Sequence, residues 1–485
     1  MTQYILYSLM AWASFWGISA AAEDLNPCPQ LTGRVVWKGE PGYDQNRLVS
    51  NYYTSKDKFP RVIVYCQSTL DVQNAVLWAR CHQTPIRIRS GGHHHEGYST
   101  GNGAILIDVS EMKALKIDHA AQVATIQPGL NNLELYNMLF KEGLTHVGGT
   151  CSDVSLSGLV LTGGMGPLLR RVGLTCDSLI SLEIVDAKGS ILRATKDNEH
   201  QDLFWASCGG GGGNFGVVTS MEIQVYPAED VTWFNIGWDW SQPVEQVIAV
   251  WQDFFAKPDR NWFSHLDLWS KPFPGVKLKK QPIKVVGFFW GSPEKAREQL
   301  TPLLNVGKPN VEIIERVNWD QAINRIEDST AVFLTGKPEY KSSGAFVPKI
   351  LPTEALAVIV STLKESTSEL FNLLVFSMGG KSSEIEPTAT AYFYRDAQFF
   401  INYSSQWLQT DEDQKKKTEL ATLRQRLLPY TVGDYVGNPD PDFKDYLSEY
   451  YGANQERLRR IKQKYDPENI FHFEQSIPPA SVHTP

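Results

Sequence analysis

Short apolar runs alternate with amphipathic stretches from about residue 61 onward. The run 62–65 is continuously apolar and predicts a buried strand, and 68–80 carries apolar residues at helical spacing, which predicts a helix. Ile86 and Ile88 alternate with arginines, as in a half-buried strand that enters a Ser-Gly-Gly turn. Further strands are predicted at 104–108, 123–127, 180–185, 190–192 and 217–225, and a further helix at 131–142. The pattern indicates an α+β fold.

The sequence changes character after Pro227, where glycine becomes scarcer and tryptophan becomes frequent. We expect a second domain over 228–430, between a first block at 23–227 and a C-terminal segment at 431–485 that is helical around 446–464. Its predicted strands (285–290, 373–376, 388–394, 399–403) alternate with predicted helices (244–255, 293–304, 354–365, 413–428). Its early part holds eight tryptophans, at Trp233, Trp238, Trp240, Trp251, Trp262, Trp269, Trp290 and Trp319.

The N-terminus has the features of an export signal. Residues 1–22 carry no charged side chain and contain an apolar stretch of signal-peptide length. Three alanines at 20–22 offer the small residues that a signal peptidase recognises, directly before Glu23. We therefore predict a signal peptide over 1–22 and a secreted protein, extracellular or periplasmic. An uncleaved anchor is the alternative.

Charge and cysteine content narrow the classes of function. The chain has 46 basic and 54 acidic side chains, and its net charge of −8 disfavours nucleic acids and anionic membranes, because both would be repelled. The six cysteines include no C-x-x-C pair, so zinc-ribbon and thioredoxin-like sites lose their main support. Six cysteines are also too few to form a disulfide scaffold in 485 residues.

Three motif matches fail on their structural context. Gly211-x-Gly213-x-x-Gly216 fits a dinucleotide fingerprint, but a predicted strand follows it where that fingerprint requires a helix. Ser99 lies in a G-x-S-x-G match, yet it follows a loop and precedes turn residues, whereas a nucleophile elbow joins a strand to a helix. The three consecutive histidines at 93–95 lack partners at i, i+4 spacing, so no metal site is predicted.

A different chemistry is suggested by the run RIRSGGHHHEGY (87–98) together with Cys151. Backbone amides exposed by Ser90, Gly91 and Gly92 can form a nest for a pyrophosphate, since glycine permits close approach and positive φ. A histidine at the end of such a nest, and a thiol on a second glycine-rich loop, can each bond covalently to a ring bound there.

Several long runs resemble one family. They are RSGGHHHEGYS (89–99), GGTCSDVSLSG (148–158), LTGGMGPLLRRVGLTCD (161–177), DLFWASCGGGGGNFGVVT (202–219), GGKSSEIEPTATAYFYRDA (379–397), YYGANQERLRRIKQKYDPENIF (450–471) and QSIPP (475–479). In order and spacing they resemble the berberine bridge enzyme-like oxidases of the vanillyl-alcohol oxidase superfamily. The resemblance implies a two-lobed PCMH-type FAD-binding domain, formed by 23–227 and the returning segment 431–485. It also implies an inserted substrate domain at 228–430, with an antiparallel sheet flanked by helices.

The resemblance implies FAD held by two covalent bonds, an 8α-histidyl bond to His93 and a 6-S-cysteinyl bond to Cys151. For Cys151, a buried thiol or a half-cystine is the alternative. The cofactor-binding residues implied are Arg89, Ser90, Gly91, Gly92, His93, His94, Tyr98, Cys151, Val154, Ser155, Gly158, Gly163, Gly164, Gly166, Gly211, Gly216, Val217 and Asn454. The resemblance also pairs Cys28 with Cys81, and it leaves Cys66, Cys176 and Cys208 as expected buried thiols.

Val154, three residues after the linking cysteine, bears on the electron acceptor. Family members with Val at this position tend to be oxidases, and those with Leu tend to be dehydrogenases. Val154 therefore favours oxygen as the acceptor. The alternative is that Val154 only fills space and other contacts decide.

The substrate side departs from the family pattern. Asn438 stands where a catalytic tyrosine is expected, and an amide cannot take a proton at working pH. Asn402 replaces a usual Gln or Glu, Met165 replaces a frequent aromatic residue, and His95 replaces a frequent Tyr. Asn402 also begins a formal glycosylation sequon, which we expect to be unused because it lies in a strand lining the site. The candidate bases are Tyr394, Tyr403, Tyr435 and His95, and a structural hydrogen bond is the alternative for each.

The expected function is a secreted oxidase that takes hydride from a CH–OH or activated C–H substrate and reduces oxygen to hydrogen peroxide. Clustered tryptophans, with Trp407, favour stacking on a sugar ring and hence a carbohydrate or alcohol; the alternative is that most are core residues. A phenolic or secondary-metabolite substrate, or a non-catalytic flavoprotein that has lost the base, is the alternative function. The expected partners are a small-molecule substrate and oxygen, with no nucleic acid, membrane, metal or protein partner.

Overall fold

The computed structural model describes residues 28–270, 282–330, 339–368, 370–407 and 413–481. The predicted signal peptide (1–22) lies outside the described residues. Within the described ranges, no helix combines the length and the apolar character that crossing a membrane requires.

The first part of the chain, up to Gln224, forms two lobes. Its strands are β1 (Arg34–Trp37), β2 (Val62–Tyr65), β3 (Ile86–Arg89), β4 (Ile105–Asp108), β5 (Leu115–Asp118), β6 (Val123–Ile126), β7 (Leu144–Thr145), β8 (Leu179–Val185), β9 (Ile191–Thr195) and β10 (Val217–Gln224). Its helices are α1 (Tyr43–Asn46), α2 (Tyr52–Ser55), α3 (Thr69–Cys81), α4 (Asn132–Phe140), α5 (Leu156–Leu161), α6 (Leu169–Val172) and α7 (Gln201–Ala206).

The remaining elements form a third sheet with its helices and the C-terminal segment. The strands are β11 (Tyr226–Pro227), β12 (Val231–Trp238), β13 (Trp262–Trp269), β14 (Ile283–Phe289), β15 (Val311–Val317), β16 (Glu339–Val347), β17 (Leu370–Ser377) and β18 (Phe399–Trp407). The helices are α8 (Val244–Phe255), α9 (Pro293–Leu304), α10 (Trp319–Thr330), α11 (Thr353–Glu365), α12 (Asp413–Leu427), α13 (Tyr446–Tyr451) and α14 (Gln455–Tyr465).

The first lobe is a four-stranded sheet in the order β1-β2-β4-β3, with β2, β4 and β3 parallel. Parallel strands require a crossover, and α3 provides it between β2 and β3. The Ser68 hydroxyl caps α3 by accepting from the Asp71 amide, while the Asp71 carboxylate accepts from the Ser68 amide. Val72, Ala75 and Val76 of α3 are fully buried against this sheet. The helix is therefore fixed at its start by a capping box and along its length by apolar contact.

The second lobe is an antiparallel sheet in the order β5-β6-β10-β8-β9. The third sheet has seven antiparallel strands in the order β15-β12-β14-β13-β17-β18-β16. Alternate residues of β18 explain how the third sheet is covered: Phe399, Ile401 and Tyr403 join the apolar cluster with α8, α9, α11 and α12. The intervening residues Phe400 and Asn402 face a cavity on the other side. This architecture confirms the predicted α+β class with an antiparallel sheet flanked by helices.

The described part of the C-terminal segment packs back against the first part of the chain. The buried Lys462 ammonium donates to the carbonyls of Asn214 and Phe471, each at 2.7 Å, and pairs with the Asp466 carboxylate. The Ile477 amide also donates to Asn214 Oδ1 at 2.8 Å. These contacts join the segment to the glycine-rich loop at 209–213. The domain boundaries at 227 and 430 stay predictions.

The strand predicted at 388–394 is wrong. These residues form turns, and their backbone groups bond outside any ladder: the Tyr392 amide donates to the Cys208 carbonyl at 3.0 Å. The Asn454 side chain donates to the carbonyls of Pro387 and Thr390. The β-branched and aromatic residues that suggested a strand therefore pack within a connecting segment. The helix predicted at 446–464 is also divided, because Gly452 adopts a positive φ of 48° between α13 and α14.

Two cysteine predictions have different outcomes. The disulfide between Cys28 and Cys81 is confirmed, with the Cα atoms 5.8 Å apart. The expectation of buried thiols at Cys176 and Cys208 is wrong, because these residues form a second disulfide with a Cα–Cα distance of 5.2 Å. Tight turns place them together: the Cys176 amide donates to the Gly163 carbonyl, and the chain after Cys208 bonds to the Leu161 carbonyl. Cys66 is buried, as expected.

Candidate active site

A cavity of about 780 Å³ lies between the two lobes and the open face of the third sheet. One wall consists of the loop after β3, the loop before α5 and the glycine-rich loop at 211–213. A second wall consists of β17, β18 and the stretch 435–439. A volume of this size, lined largely by apolar and polar uncharged side chains, is typical of a binding site for a small molecule or cofactor.

The loop after β3 lies against the loop before α5 with almost no gap. A Cβ atom added at Gly91 would lie 2.7 Å from Ser155 Oγ, so a side chain at this position would separate the two loops. Gly92 adopts a positive φ of 66°, which favours glycine. The Ser90 hydroxyl donates to the Pro128 carbonyl at 2.7 Å. Ser90, Gly91 and Gly92 all line the cavity, and their role as a nest for a pyrophosphate stays a prediction.

His93 and Cys151, which are 58 positions apart in the sequence, both line this cavity. His93 Nε2 lies 3.2 Å from Asp153 Oδ1, and its hydrogen bond is the main cause that lowers the pKa of the Asp153 carboxyl. The start of α4 holds the loop that carries Cys151: Asn132 Nδ2 donates to the Cys151 carbonyl at 2.9 Å, and the Asn132 amide donates to the Val154 carbonyl at 2.9 Å. Sequence reasoning missed Asn132 and Asp153, although Asp153 lies within the conspicuous run 148–158.

Polar and aromatic side chains alternate along the sheet wall. The residues that face the cavity are Asn372, Leu374 and Phe376 of β17, and Phe400, Asn402, Ser404 and Gln406 of β18, with Trp269 and Tyr340 beside them. Sequence reasoning identified Asn402 but missed most of this set. The available signal was the period of two, because residues at i, i+2 and i+4 of a strand share one face.

His95 makes two hydrogen-bonding contacts at the end of this wall. Its Nδ1 lies 3.1 Å from Asn438 Oδ1 and 3.1 Å from Ser342 Oγ. Its ring meets the Tyr340 ring edge-on, with the centroids 5.2 Å apart. Burial, followed by the charge of His93, lowers the pKa of His95 to about 4, while the bond to Asn438 acts in the opposite direction. The imidazole is therefore neutral near pH 7.

Of the three candidate tyrosines, one lines the cavity. The Tyr435 hydroxyl lies there, 2.8 Å from Thr162 Oγ1, and burial raises the pKa of Tyr435 to about 12. Tyr403 is fully buried in the apolar cluster on the other face of the sheet. The Tyr394 hydroxyl donates to the Ser448 carbonyl at 3.0 Å and lies outside the cavity lining. The positions of Tyr394 and Tyr403 do not fit a base that contacts a ligand in the cavity.

Most of the predicted cofactor-binding residues line the cavity. They are Ser90, Gly91, Gly92, His93, His94, Tyr98, Cys151, Val154, Ser155, Gly158, Gly211 and Gly216.

Two of the other predicted cofactor residues have structural hydrogen bonds instead. The Arg89 guanidinium pairs with the buried Asp108 carboxylate and donates to the Asn46 carbonyl at 2.7 Å. Asn454 bonds to the backbone of the 387–391 turn. Their side chains are therefore engaged behind the cavity wall, and the prediction that they contact a cofactor is not supported by their positions.

The remaining four lie in tight packing outside the cavity lining. A Cβ at Gly163 would meet the Tyr392 ring, one at Gly164 would meet Thr175, and one at Gly166 would meet the Gly148 carbonyl. Val217 is fully buried in the core of the first lobe, whereas its neighbour Val218 lines the cavity. Glycine is needed at the first three positions for packing between loops.

The tryptophans are mostly core residues, which was the alternative interpretation. Trp238, Trp251, Trp262, Trp319 and Trp407 belong to the largest fully buried side chains. Trp269 also is buried, but it lines the cavity. For most of the cluster the structure therefore favours the core interpretation over stacking on a sugar, and Trp269 alone of the described cluster lines the cavity.

Two family models match the chain. The model described as FAD binding domain matches residues 60–195, and the model described as berberine and berberine like matches residues 434–478. The FAD-linked oxidoreductase YgaK of Bacillus subtilis (strain 168), itself described as uncharacterized, is 37% identical over 454 residues, covering 93% of this chain and 98% of the relative. Berberine bridge enzyme-like 17 of Arabidopsis thaliana is 30% identical over 460 residues, covering 87% and 85%. The chain belongs to the berberine bridge enzyme-like FAD-linked oxidoreductases.

Solved structures of the family agree with this fold. Chitooligosaccharide oxidase superposes with a TM-score of 0.80 at 25% identity, covering 93% of this chain and 98% of that chain. Physcomitrella patens BBE-like 1 superposes with a TM-score of 0.84 at 23% identity, covering 93% and 98%. The fold is thus the two-lobed, split FAD-binding domain of this enzyme family.

The cavity of this berberine bridge enzyme-like protein suits FAD. A Cβ added at Gly158 would meet no other atom within 4 Å, so a side chain there would project into the cavity. Gly211 and Gly213 adopt positive φ values of 87° and 76°, which favour glycine. The backbone along this wall therefore carries no side chain at these two positions. The donor set of exposed backbone, imidazole and thiol is appropriate for a pyrophosphate and a reactive ring. The residues present therefore fit the cofactor of the family.

Proposed function

We propose that this protein is a secreted oxidase that carries FAD attached to both His93 and Cys151. It removes hydride from a CH–OH group, or a similarly activated C–H group, and passes the electrons to oxygen, which is released as hydrogen peroxide. The observation that carries the proposal is that His93 and Cys151 line one cavity together with polar side chains of β17 and β18. When it is bound, FAD supplies the hydride acceptor and the protein supplies orientation and electrostatics.

The substrate proposed is a carbohydrate or an alcohol. Asn372, Asn402 and Gln406 offer amide groups to the cavity, and Asn402 Oδ1 is a buried acceptor without a partner among the described residues. Such an acceptor favours a ligand with a hydroxyl donor, because a buried unsatisfied polar atom is costly. Trp269 provides one aromatic surface for a ring. The similarity to chitooligosaccharide oxidase supports the same class.

A second candidate is an aromatic alcohol or a phenolic compound. Phe376, Phe400 and Tyr340 form an aromatic part of the lining beside the amide groups. This part would bury the ring of such a substrate. A substrate panel distinguishes the two classes.

Secretion is supported by the two disulfides, because disulfides persist in oxidising compartments. The N-terminal 22 residues have signal-peptide composition.

The experiment that tests the attachment is mass spectrometry of the denatured protein. Wild type should retain FAD after denaturation, His93→Ala and Cys151→Ala should each retain it through one bond, and the double variant should release it. His119→Ala is the matched control, since His119 is exposed and its Nε2 pairs with Glu142 at 3.4 Å. Release of FAD from denatured wild type would refute double attachment.

The oxidation itself is tested by peroxide release from a panel of glucose, cellobiose, N,N′-diacetylchitobiose and benzyl alcohol. Peroxide with a sugar supports the first substrate class, and peroxide with benzyl alcohol alone supports the second. If no member of the panel reduces the flavin of the loaded wild type, the proposed oxidation of these alcohols is wrong.

A further inference from the structure

We propose that Nε2 of His95 is the proton acceptor for the substrate hydroxyl, and that Asn438 and Ser342 position this imidazole. The inference rests on the proposed oxidase function and adds to it the group that receives the proton. It makes His95 a catalytic residue, and Asn438 and Ser342 positioning residues.

The contacts of Nδ1 determine where the proton of the neutral ring lies. Asn438 Oδ1 lies 3.1 Å from Nδ1 of His95, and this amide orientation leaves Asn438 Nδ2 without a hydrogen-bond partner among the described residues. Because an amide oxygen can only accept, this orientation places the proton of the neutral ring on Nδ1. Ser342 Oγ also lies 3.1 Å from Nδ1, and its hydroxyl oxygen can accept from an Nδ1–H group. In a neutral imidazole with Nδ1–H, the lone pair is on Nε2. The second nitrogen is therefore the acceptor.

The positioning groups are themselves held firmly. The Asn438 side chain is 3% exposed, and its backbone amide donates to the Tyr435 carbonyl at 2.8 Å. Ser342 is fully buried in β16, where it pairs in register with Ser404 of the cavity wall. A base that keeps one orientation and one tautomer needs such rigid partners, because an unheld ring would exchange tautomers in water.

His94, Tyr435 and Tyr340 at the cavity lack an available lone pair at neutral pH. The Asp153 carboxylate also lines the cavity, but its Oδ1 is engaged by His93 Nε2 at 3.2 Å. Nδ1 of His94 lies 3.3 Å from the Glu96 amide, which only donates, so the lone pair of His94 is already engaged. The pKa of Tyr435 is raised to about 12 by burial, and burial also raises the pKa of Tyr340, so both phenols stay protonated. His93 is reserved for the cofactor.

The electrostatic surroundings keep His95 neutral. The titratable groups that interact with it include His93, His94, Asp153 and Tyr340. Burial lowers the pKa of His95 to about 4, and His93 acts in the same direction. Above that pH the Nε2 lone pair is free to accept a proton.

The reaction balances with these groups and oxygen. The substrate O–H bond breaks and its proton moves to His95 Nε2, while the hydride of the adjacent C–H bond leaves with its electron pair to FAD. A C=O bond forms in the product. Oxygen then takes up two electrons and two protons as hydrogen peroxide, and His95 returns to its neutral form.

The kinetic test measures anaerobic flavin reduction by the member of the panel that reduces the wild type. His95→Ala should lower the rate about 100-fold or more, the usual size of a lost general base. Added imidazole should restore part of the rate, because it supplies a lone pair to the vacant space. Asn438→Leu should lower the rate less and keep the flavin attached, and His119→Ala is the control that should behave as wild type.

A second measurement does not depend on turnover. Nitrogen NMR of protein with 15N-labelled histidine, assigned by its difference from His95→Gln, should show the Nδ1–H tautomer of His95 at pH 7. Asn438→Leu should mix the two tautomers. An Nε2–H tautomer or an imidazolium in the wild type at pH 7 would overturn the inference.

The outcomes separate this inference from the proposed function. If the panel reduces wild type and His95→Ala is equally fast, or is slow without any rescue by imidazole, His95 is not the acceptor but the oxidase function stands. If no panel member reduces the wild-type flavin, the proposed function fails and this inference fails with it. Variants with unchanged flavin content exclude misfolding as the reason for a lost rate.

Discussion

Asn438 gives His95 a hydrogen-bond partner without giving it a charge, so burial, followed by the charge of His93, dominates the pKa of the ring. A carboxylate at the same position would stabilise the imidazolium and raise the pKa of His95 from its value of about 4. Below its pKa the protonated ring cannot accept a proton, so flavin reduction should fall as pH drops through that value.

Asn438→Asp should therefore move the acid limb of flavin reduction upward, by about 1 to 3 pH units. The measurement is the pH dependence of the anaerobic reduction rate in wild type and variant. Wild type should stay fast down to about pH 4, whereas the variant should slow at higher pH. An acid limb at the same pH in both proteins would show that another group is titrating.

Val154 lines the cavity three residues after Cys151, and its carbonyl accepts a hydrogen bond from the Asn132 amide. Under the proposed attachment to Cys151, a larger side chain here would fill space beside the ring of the cofactor. Val154→Leu should slow the reaction of the reduced enzyme with oxygen by about tenfold or more, which corresponds to about 1.4 kcal/mol in the barrier. Stopped-flow oxidation measures this rate, and reduction by substrate is the internal control. Unchanged oxidation would mean that oxygen approaches by another path.

Single residues were predicted unevenly from the sequence. His93 and Cys151 were expected at one site, and the structure brings them to one cavity. Asn402 and Tyr403 were both predicted as site residues. Neighbouring residues in a strand face opposite sides of the sheet, so the strand pattern alone excludes that both face the same cavity. The contact between His95 and Asn438 spans 343 positions, and no local pattern reports a contact of that separation.

At the scale of elements, the disulfide between Cys176 and Cys208 joins two loops that the sequence left as separate runs. Cys208 is followed directly by the glycine-rich loop at 209–213, and Gly211 and Gly213 line the cavity. The two cysteines are 32 positions apart. By restricting the unfolded chain, the bond should stabilise the folded protein by about 3 to 4 kcal/mol.

Replacing both cysteines, as Cys176→Ser with Cys208→Ser, should therefore lower the thermal midpoint of unfolding and loosen the cofactor loop. Calorimetry measures the first effect, and the fraction of protein with attached FAD measures the second. Cys66→Ser is the control for loss of a buried sulfur, because Cys66 is buried without being half of a disulfide. An equal midpoint for the pair variant and the control would contradict a stabilising disulfide.

Amphipathic helices were the best predicted elements. The helices predicted at 244–255 and 293–304 have the observed bounds of α8 and α9. Their apolar residues recur at helical spacing because each helix buries one apolar face on the third sheet. The segment 388–394 has strand composition but bonds to α7 and to Asn454, which are distant in sequence. Composition reports which residues prefer strands, whereas pairing partners decide whether a ladder forms.

At the scale of the whole molecule, the cavity exists only while the third sheet stays docked on the FAD-binding lobes. Arg170 of α6 is 2% exposed and joins these parts: its guanidinium donates to the carbonyls of Phe255, Asp259 and Met378. It also donates to the Lys257 carbonyl. One side chain thus satisfies backbone acceptors at the end of α8 and at the end of β17. Its pKa is lowered by burial to about 10, so it stays charged at neutral pH.

Arg170→Met should destabilise the protein by about 3 kcal/mol, because Met keeps much of the volume but leaves several buried carbonyls without a donor. Arg171→Met is the matched control: Arg171 is adjacent in sequence and pairs at the surface with Glu229 at 2.7 Å, so its loss should cost about 1 kcal/mol or less. Thermal unfolding of the two variants measures the difference. Because the sheet wall carries Asn402 and the lobes carry His93, the Arg170 variant should also bind substrate more weakly while its FAD stays attached. Equal unfolding midpoints for the two variants would show that other contacts hold the sheet on the lobes.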